Sequence, residues 1–154
     1  MTTPIRPLQD KLKLNHPLRN TSIEQLGQIR DSVVAEEATK QGVPVHLALA
    51  VAKVENTRGI PWVVSRTGDI GVMQINPRAH PETPVDSLSR PGINARVGVS
   101  ILAHYKQRYG TWDRALMAYN GALKKPNAGA EYVRLVRAQM AALGALATST
   151  QLSE

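Results

Sequence analysis

The sequence predicts a single, mostly α-helical domain, on three observations. The chain has 154 residues, of which 42% are hydrophobic, enough for one packed core. Apolar residues recur at three- and four-residue spacing through most of the chain, which is the period of helices. Between residues 58 and 92 that period gives way to a run rich in Gly, Pro and Ser, read as a long irregular loop or a short hairpin.

The elements follow in order. Residues 1–20 hold Pro4, Pro7 and Pro17 and read as an extended N-terminal arm. A capping box, Thr21 with Glu24 or Ser22 with Gln25, opens the first helix. Ile23, Leu26, Ile29 and Val33 supply its apolar face, and Gly42 ends it. Pro44 suits the first turn of a second helix, "VHLALAVAKVE". That segment is apolar nearly all round, so it belongs in the core, and Gly59 and Pro61 stop it. A third helix is expected over about 93–109, with Ile93, Val97, Ile101, Leu102 and Tyr105 on one face and Gly110 at its end. Trp112, Ala115, Leu116 and Tyr119 mark a shorter helix, and "GALKKPNAGA" reads as a loop. Tyr132, Val133, Val136 and Met140 mark the last helix. The small, polar stretch after Gly144 reads as a fraying tail. The expected division is therefore an arm at 1–20, a domain at 21–143 and a tail at 144–154.

Composition narrows the function. No apolar run reaches the 18 or so residues of a membrane span. There is no cysteine, which removes disulfides and thiol chemistry. His16, His46, His80 and His104 are scattered without ligand spacing, so neither a metal nor another cofactor is expected. A net charge of +7 draws the chain to polyanions: nucleic acid, an anionic membrane surface or the acidic bacterial wall. The turn at Gly42–Pro44 between two helices could imitate a helix-turn-helix. The second helix, however, is too apolar to offer polar groups to base edges, so no nucleic-acid partner is expected. The first twenty residues lack the apolar core and cleavage site of a secretory signal. The expectation is a protein made in the cytoplasm and delivered by other means.

Two carboxylates stand out. Glu55 ends the apolar second helix, where burial and the negative helix terminus would both favour its protonated form, as a general acid requires. The same Glu could instead pair with Arg58 in solvent. Asp69 lies in "GDIGVMQINP", between Gly68 and Gly71. It could face Glu55 across a cleft, as in glycoside hydrolysis, or simply shape the loop through an Asx-turn. Gln74 and Asn120 offer amides suited to sugar hydroxyls and N-acetyl groups, and Tyr119 offers an apolar face with a polar tip. Met73 reads as core or cleft wall.

Together, "KVENTRGIPWVVSRTGDIGVMQINP", "INARVGVSILAHYKQRYGTWDRALMAYNGA" and "AEYVRLV" resemble the lytic transglycosylase (SLT-type) domain of the lysozyme superfamily, in order and spacing, over roughly residues 40–140. The resemblance implies a lysozyme-like (goose-type/SLT) fold and a peptidoglycan substrate. It implies that Glu55 is the catalytic acid, that Met73 and Gln74 line the cleft, and that Tyr119, Asn120 and Tyr132 fill the family's conserved-motif positions. It departs from the family at Asn56, where Ser is usual, and in a slightly longer loop, so that Ser65 or Thr67 would take the place of the serine that supports the acid. "GDIGVMQIN" is closer to the specialised transglycosylases of secretion systems and phages. It is also similar to chicken-type lysozyme, in which the equivalent aspartate is the second carboxylate. These likenesses imply a phage-encoded wall-cleaving enzyme, carried in a virion or released at lysis and acting in the periplasm. Residues 1–20 or the tail would dock it to phage structural proteins. They leave two alternatives open: a hydrolytic lysozyme using Glu55 and Asp69, and a structural virion component with an idle site.

Overall fold

The computed structural model describes residues 5–153. Seven helices span them: α1 (Ile5–Leu14), α2 (Ile23–Gln41), α3 (Val45–Glu55), α4 (Val85–Leu88), α5 (Pro91–Tyr109), α6 (Trp112–Tyr119) and α7 (Pro126–Ser153). β pairing among the described residues is confined to isolated antiparallel bridges, Val64 with Ile70 and Ile70 with Ile75. None of the described helices is long and apolar enough to cross a membrane.

The sequence signals act where they were read. The Ser22 hydroxyl accepts from the Gln25 amide at 3.2 Å and starts α2, and Gly42, at φ 71°, ends it. Thr111, a cap the sequence reading did not name, starts α6 in the same way, accepting from Arg114 N. α3 is the core helix: Leu47, Ala48, Ala50, Val51 and Ala52 are buried. Its small residues let α2 and α7 pack against it, while α5 packs against both α2 and α6.

Three expectations are corrected. The expected arm holds a helix, α1. Pro7 falls in its first turn, where an amide would have no intrahelical partner, and Pro17 follows its end; Pro4 lies outside the described residues. The helix is docked: Leu12 is buried, the Gln9 side-chain oxygen accepts from Val64 N at 3.0 Å, and His16 Nε2 donates to the Ser89 carbonyl at 2.9 Å. Beyond Gly144, where fraying was expected, the backbone of α7 stays helical to Ser153, and residue 154 lies outside the described residues. On α5 the core side is Asn94, Ala95, Gly98, Val99 and Leu102. Of the five expected face residues only Leu102 is buried there. Ile93, Val97, Ile101 and Tyr105 lie on its partly exposed flank.

The loop after α3 is held from beneath by Asn94, which is fully buried. Its Oδ1 accepts from Met73 N at 2.8 Å, and its Nδ2 donates to the carbonyls of Ile70 at 2.8 Å and Leu88 at 2.7 Å. Glycines make room for this contact. A Cβ on Gly71 would lie 2.4 Å from Asn94 Nδ2, and one on Gly98 would lie 2.5 Å from the Met73 sulfur. Replacing Asn94 with Ala takes this partner from the Met73 amide and the Leu88 carbonyl and one of two donors from the Ile70 carbonyl, so the variant is expected to lose about 3 kcal/mol of stability in a urea melt. A loss under about 1 kcal/mol would mean that the loop finds other partners.

Candidate active site

The bridged loop, the end of α3 and the end of α6 enclose a cleft of about 480 Å³. Glu55, Thr67, Asp69, Gln74, Tyr119 and Asn120 all line it. These residues span 66 positions of sequence, and three frame contacts bring them together.

The first is Asn56, which ends α3 directly after Glu55 and is buried. Its Oδ1 accepts from the amides of Gly59 and Ile60, and its Nδ2 donates to the carbonyls of Ile60 and Gly71. The departure from the usual Ser thus ties the acid's helix to the loop across the cleft. The second is Arg30, also buried, whose Nη1 donates to the carbonyls of Asn56 at 2.9 Å and Thr57 at 2.8 Å. It binds the carbonyls with which the chain leaves α3, of which that of Asn56 also accepts from Gly59 N. The third is Tyr119, whose hydroxyl donates to the Met73 carbonyl at 2.6 Å. Burial raises its phenol pKa well above the ordinary value, with the negative charges of Glu55 and Asp69 adding to the effect, so it stays un-ionised.

The loop between the carboxylates is tightly wound. Ile70 and Ile75 exchange both amide-to-carbonyl bonds, at 2.8 and 2.9 Å. The turn between them needs left-handed backbone at Gly71 (φ 83°) and at Gln74 (φ 57°). A non-glycine residue there carries a modest strain, of a kind that gathers at functional sites. The Gln74 side chain is partly committed, since its Nε2 donates to Gly71 O at 3.1 Å.

Glu55 is the perturbed group. Removal from water raises its pKa from 4.5 to about 7. A hydrogen bond from the Tyr132 hydroxyl, 3.0 Å from Oε2, opposes the rise, and the charge of Asp69 adds to it. Arg58 is exposed and forms no ion pair with Glu55. Asp69 is held differently. Ser65 Oγ donates to its Oδ2 at 3.0 Å and Thr67 Oγ1 does so at 2.6 Å, while the Asp69 amide donates back to Ser65 Oγ. Asp69 thus lines the cleft and also ties its own loop together, through the Ser65 and Thr67 hydroxyls rather than through the Asx-turn of the plain reading.

The roles expected of four residues change. Ser65 and Thr67 were expected to support the acid, but their hydroxyls are spent on Asp69. Met73 was expected to touch substrate, but it is fully buried, its side chain against Gly98 and its carbonyl held by Tyr119. Tyr132 was expected at the substrate, but it is 5% exposed and contacts Glu55 instead. Sequence reasoning missed Asn94 and Arg30. Asn94 could have been found as a lone polar residue in register with Ala95 and Gly98, small residues that mark close packing. Arg30 sits in the buried stripe Leu26, Arg30, Val34 and Ala38, where a charge is out of place unless something binds it.

A helical domain with one bridged loop walling a cleft, and a raised-pKa glutamic acid at the end of its core helix, has the architecture of the lysozyme-like, glycan-cleaving domains. The chain belongs to the transglycosylase SLT domain family, whose model matches residues 32–135. Its class of activity is therefore lytic transglycosylation of peptidoglycan. No curated protein and no solved structure matches the chain.

The shift at Glu55 has a stability consequence. The folded chain holds this proton more tightly than the unfolded one, so the group's contribution falls as pH rises from 4.5 to about 7 and is constant above. The loss is on the order of 3 kcal/mol. Urea melts at pH 5 and pH 8 should show this slope in the wild type and not in Glu55→Gln.

Proposed function

We propose that the protein cleaves the β-1,4 bond from N-acetylmuramic acid to N-acetylglucosamine, with Glu55 acting first as acid and then as base. The observation that carries this reading is the desolvated Glu55 carboxyl, with its pKa near 7, in the cleft wall. At neutral pH about half such groups are protonated, which suits a residue that must give a proton and take one back.

The protonated Glu55 donates to the glycosidic oxygen, and the C1–oxygen bond breaks toward the departing N-acetylglucosamine. The oxocarbenium-like centre at C1 is stabilised by the carbonyl oxygen of the sugar's own N-acetyl group. The Glu55 carboxylate then takes the proton of the C6 hydroxyl of the same sugar, and O6 closes on C1. The product is 1,6-anhydro-N-acetylmuramic acid; no water is consumed and the acid is regenerated. Tyr132 holds one carboxyl oxygen throughout. Gln74, Tyr119 and Asn120 are assigned to the substrate, along with Thr67 at the rim.

Hydrolysis is the second reading, and Asp69 favours it. Its carboxylate lines the same cleft and is oriented by two hydroxyls. It would stabilise C1 while Glu55 activates water. The "GDIG" segment also supports grouping the chain with the specialised secretion-system and phage transglycosylases, and so delivery to the wall by a virion or lysis system. In that setting, residues 1–20 and the segment after Gly144 are the proposed docking ends.

Mass spectrometry of digested peptidoglycan separates the readings. Anhydro-muramic ends support transglycosylation; reducing ends, heavier by one water, would assign hydrolysis and a direct role for Asp69. Glu55→Gln is expected to lower turnover by about 10³-fold in either case. If no wall type yields product, the idle-site alternative stands. The wild-type rate should fall as pH rises above about 7, as the acid form of Glu55 is lost.

A further inference from the structure

A second cavity opens off the cleft along α5, also of about 480 Å³. His80, Ile101 and Tyr105 line both cavities, so the two share a wall. Val97, Ser100, Ile101, His104 and Tyr105 recur at three- and four-residue spacing, which makes one flank of α5 the common floor.

The two cavities differ in chemistry. The cleft is lined by three amide side chains, Gln74, Asn76 and Asn120, groups that pair with sugar hydroxyls and acetamido groups. The second cavity has none. Its polar lining includes the Arg96 guanidinium and the imidazoles of His80 and His104, set beside the aliphatic Val97 and Ile101. One carboxylate is present, Glu82, and His80 Nδ1 lies 3.5 Å from it. Arg96 forms no ion pair among the described residues, although its carbonyl accepts from Gln41 and so fixes its turn of helix. The cavity therefore offers a planar cation and an apolar wall next to a glycan site, which matches a short peptide bearing carboxylates and methyl groups.

We propose that this cavity binds the acidic stem peptide that muramic acid carries on its lactyl group, while the sugar lies in the cleft. The proposal rests on the peptidoglycan-cleaving reading above. Arg96 pairs with a peptide carboxylate, Val97 and Ile101 pack on the alanine side chains, and His104 closes the outer end. The site makes the enzyme select peptide-bearing strands over bare glycan.

The test compares kcat/KM on glycan strands carrying their peptides with kcat/KM on strands stripped of them by an amidase. The wild type is expected to prefer the peptide-bearing strands by about tenfold, the value of one good charge-assisted contact. Arg96→Glu and Ser100→Trp, one reversing the charge and the other filling the space, should each abolish most of that preference. A wild type that cleaves both substrates equally, or a preference that survives in both variants, overturns the proposal and leaves the cleavage reading intact. If the variants lose activity equally on both substrates, the cavity is a glycan subsite and the proposal fails. If the wild type cleaves neither substrate, the cleavage reading fails first and takes the proposal with it.

Discussion

The position of the whole cleft wall depends on one carboxamide. Asn94 offers one acceptor and two donors, and all three meet backbone groups: the Met73 amide, the Leu88 carbonyl, and the Ile70 carbonyl that Ile75 N also reaches. The backbone can come so close only because Gly71 and Gly98 lack side chains. From the other side Asn56 donates to the Gly71 carbonyl, and from above Tyr119 donates to that of Met73. The loop carrying Asp69 is thus bonded to the helix carrying Glu55, to α5 and to α6. Among the described residues no buried side-chain nitrogen or oxygen lacks a partner, so the network is closed.

Such a frame allows an acid to be kept in an unfavourable place. Glu55 loses hydration and faces the charge of Asp69, and only the Tyr132 hydroxyl opposes the rise in its pKa. In a looser site the side chain would rotate into water or draw in a cation. Here Arg30, the nearest buried cation, is committed to the carbonyls of Asn56 and Thr57, and Arg58 stays in solvent. The cation thus stabilises the chain's exit from α3 without neutralising the acid two residues earlier.

Much of this was legible in the sequence, for local reasons. Ser22 caps α2, and Gly42 and Gly110 end α2 and α5, because these residues act on their own neighbours. The cleft-lining positions of Asp69 and Gln74 could be named from the distinctive composition of their loop, Glu55 from its place at the end of an apolar helix, and Tyr119 and Asn120 from their side-chain chemistry and the family resemblance. The errors came where tertiary contacts decide. Prolines suggested an extended arm, yet Pro7 is harmless in a first turn, and α1 is held by contacts to Val64 and Ser89 far along the chain. The side of α5 richest in large apolar residues looked like the core side, but the close approach of the loop required small ones, so Ile101 and Tyr105 were left to floor the cavities. The partners of Ser65, Thr67 and Tyr132 were not readable at all, because a hydroxyl's spacing does not say which of two nearby carboxylates it meets.

The packing of Met73 against Gly98 also bears on chemical durability. A thioether at the edge of a sugar-binding cleft is ordinarily an oxidation target, and its sulfoxide would swell and polarise the wall it supports. Here the side chain is fully buried and its sulfur is pressed against a helix that has no Cβ at that point. The chain also has no thiol to oxidise or exchange. The cleft wall therefore keeps this sulfur out of reach of solvent oxidants, shielded behind the site it helps to build.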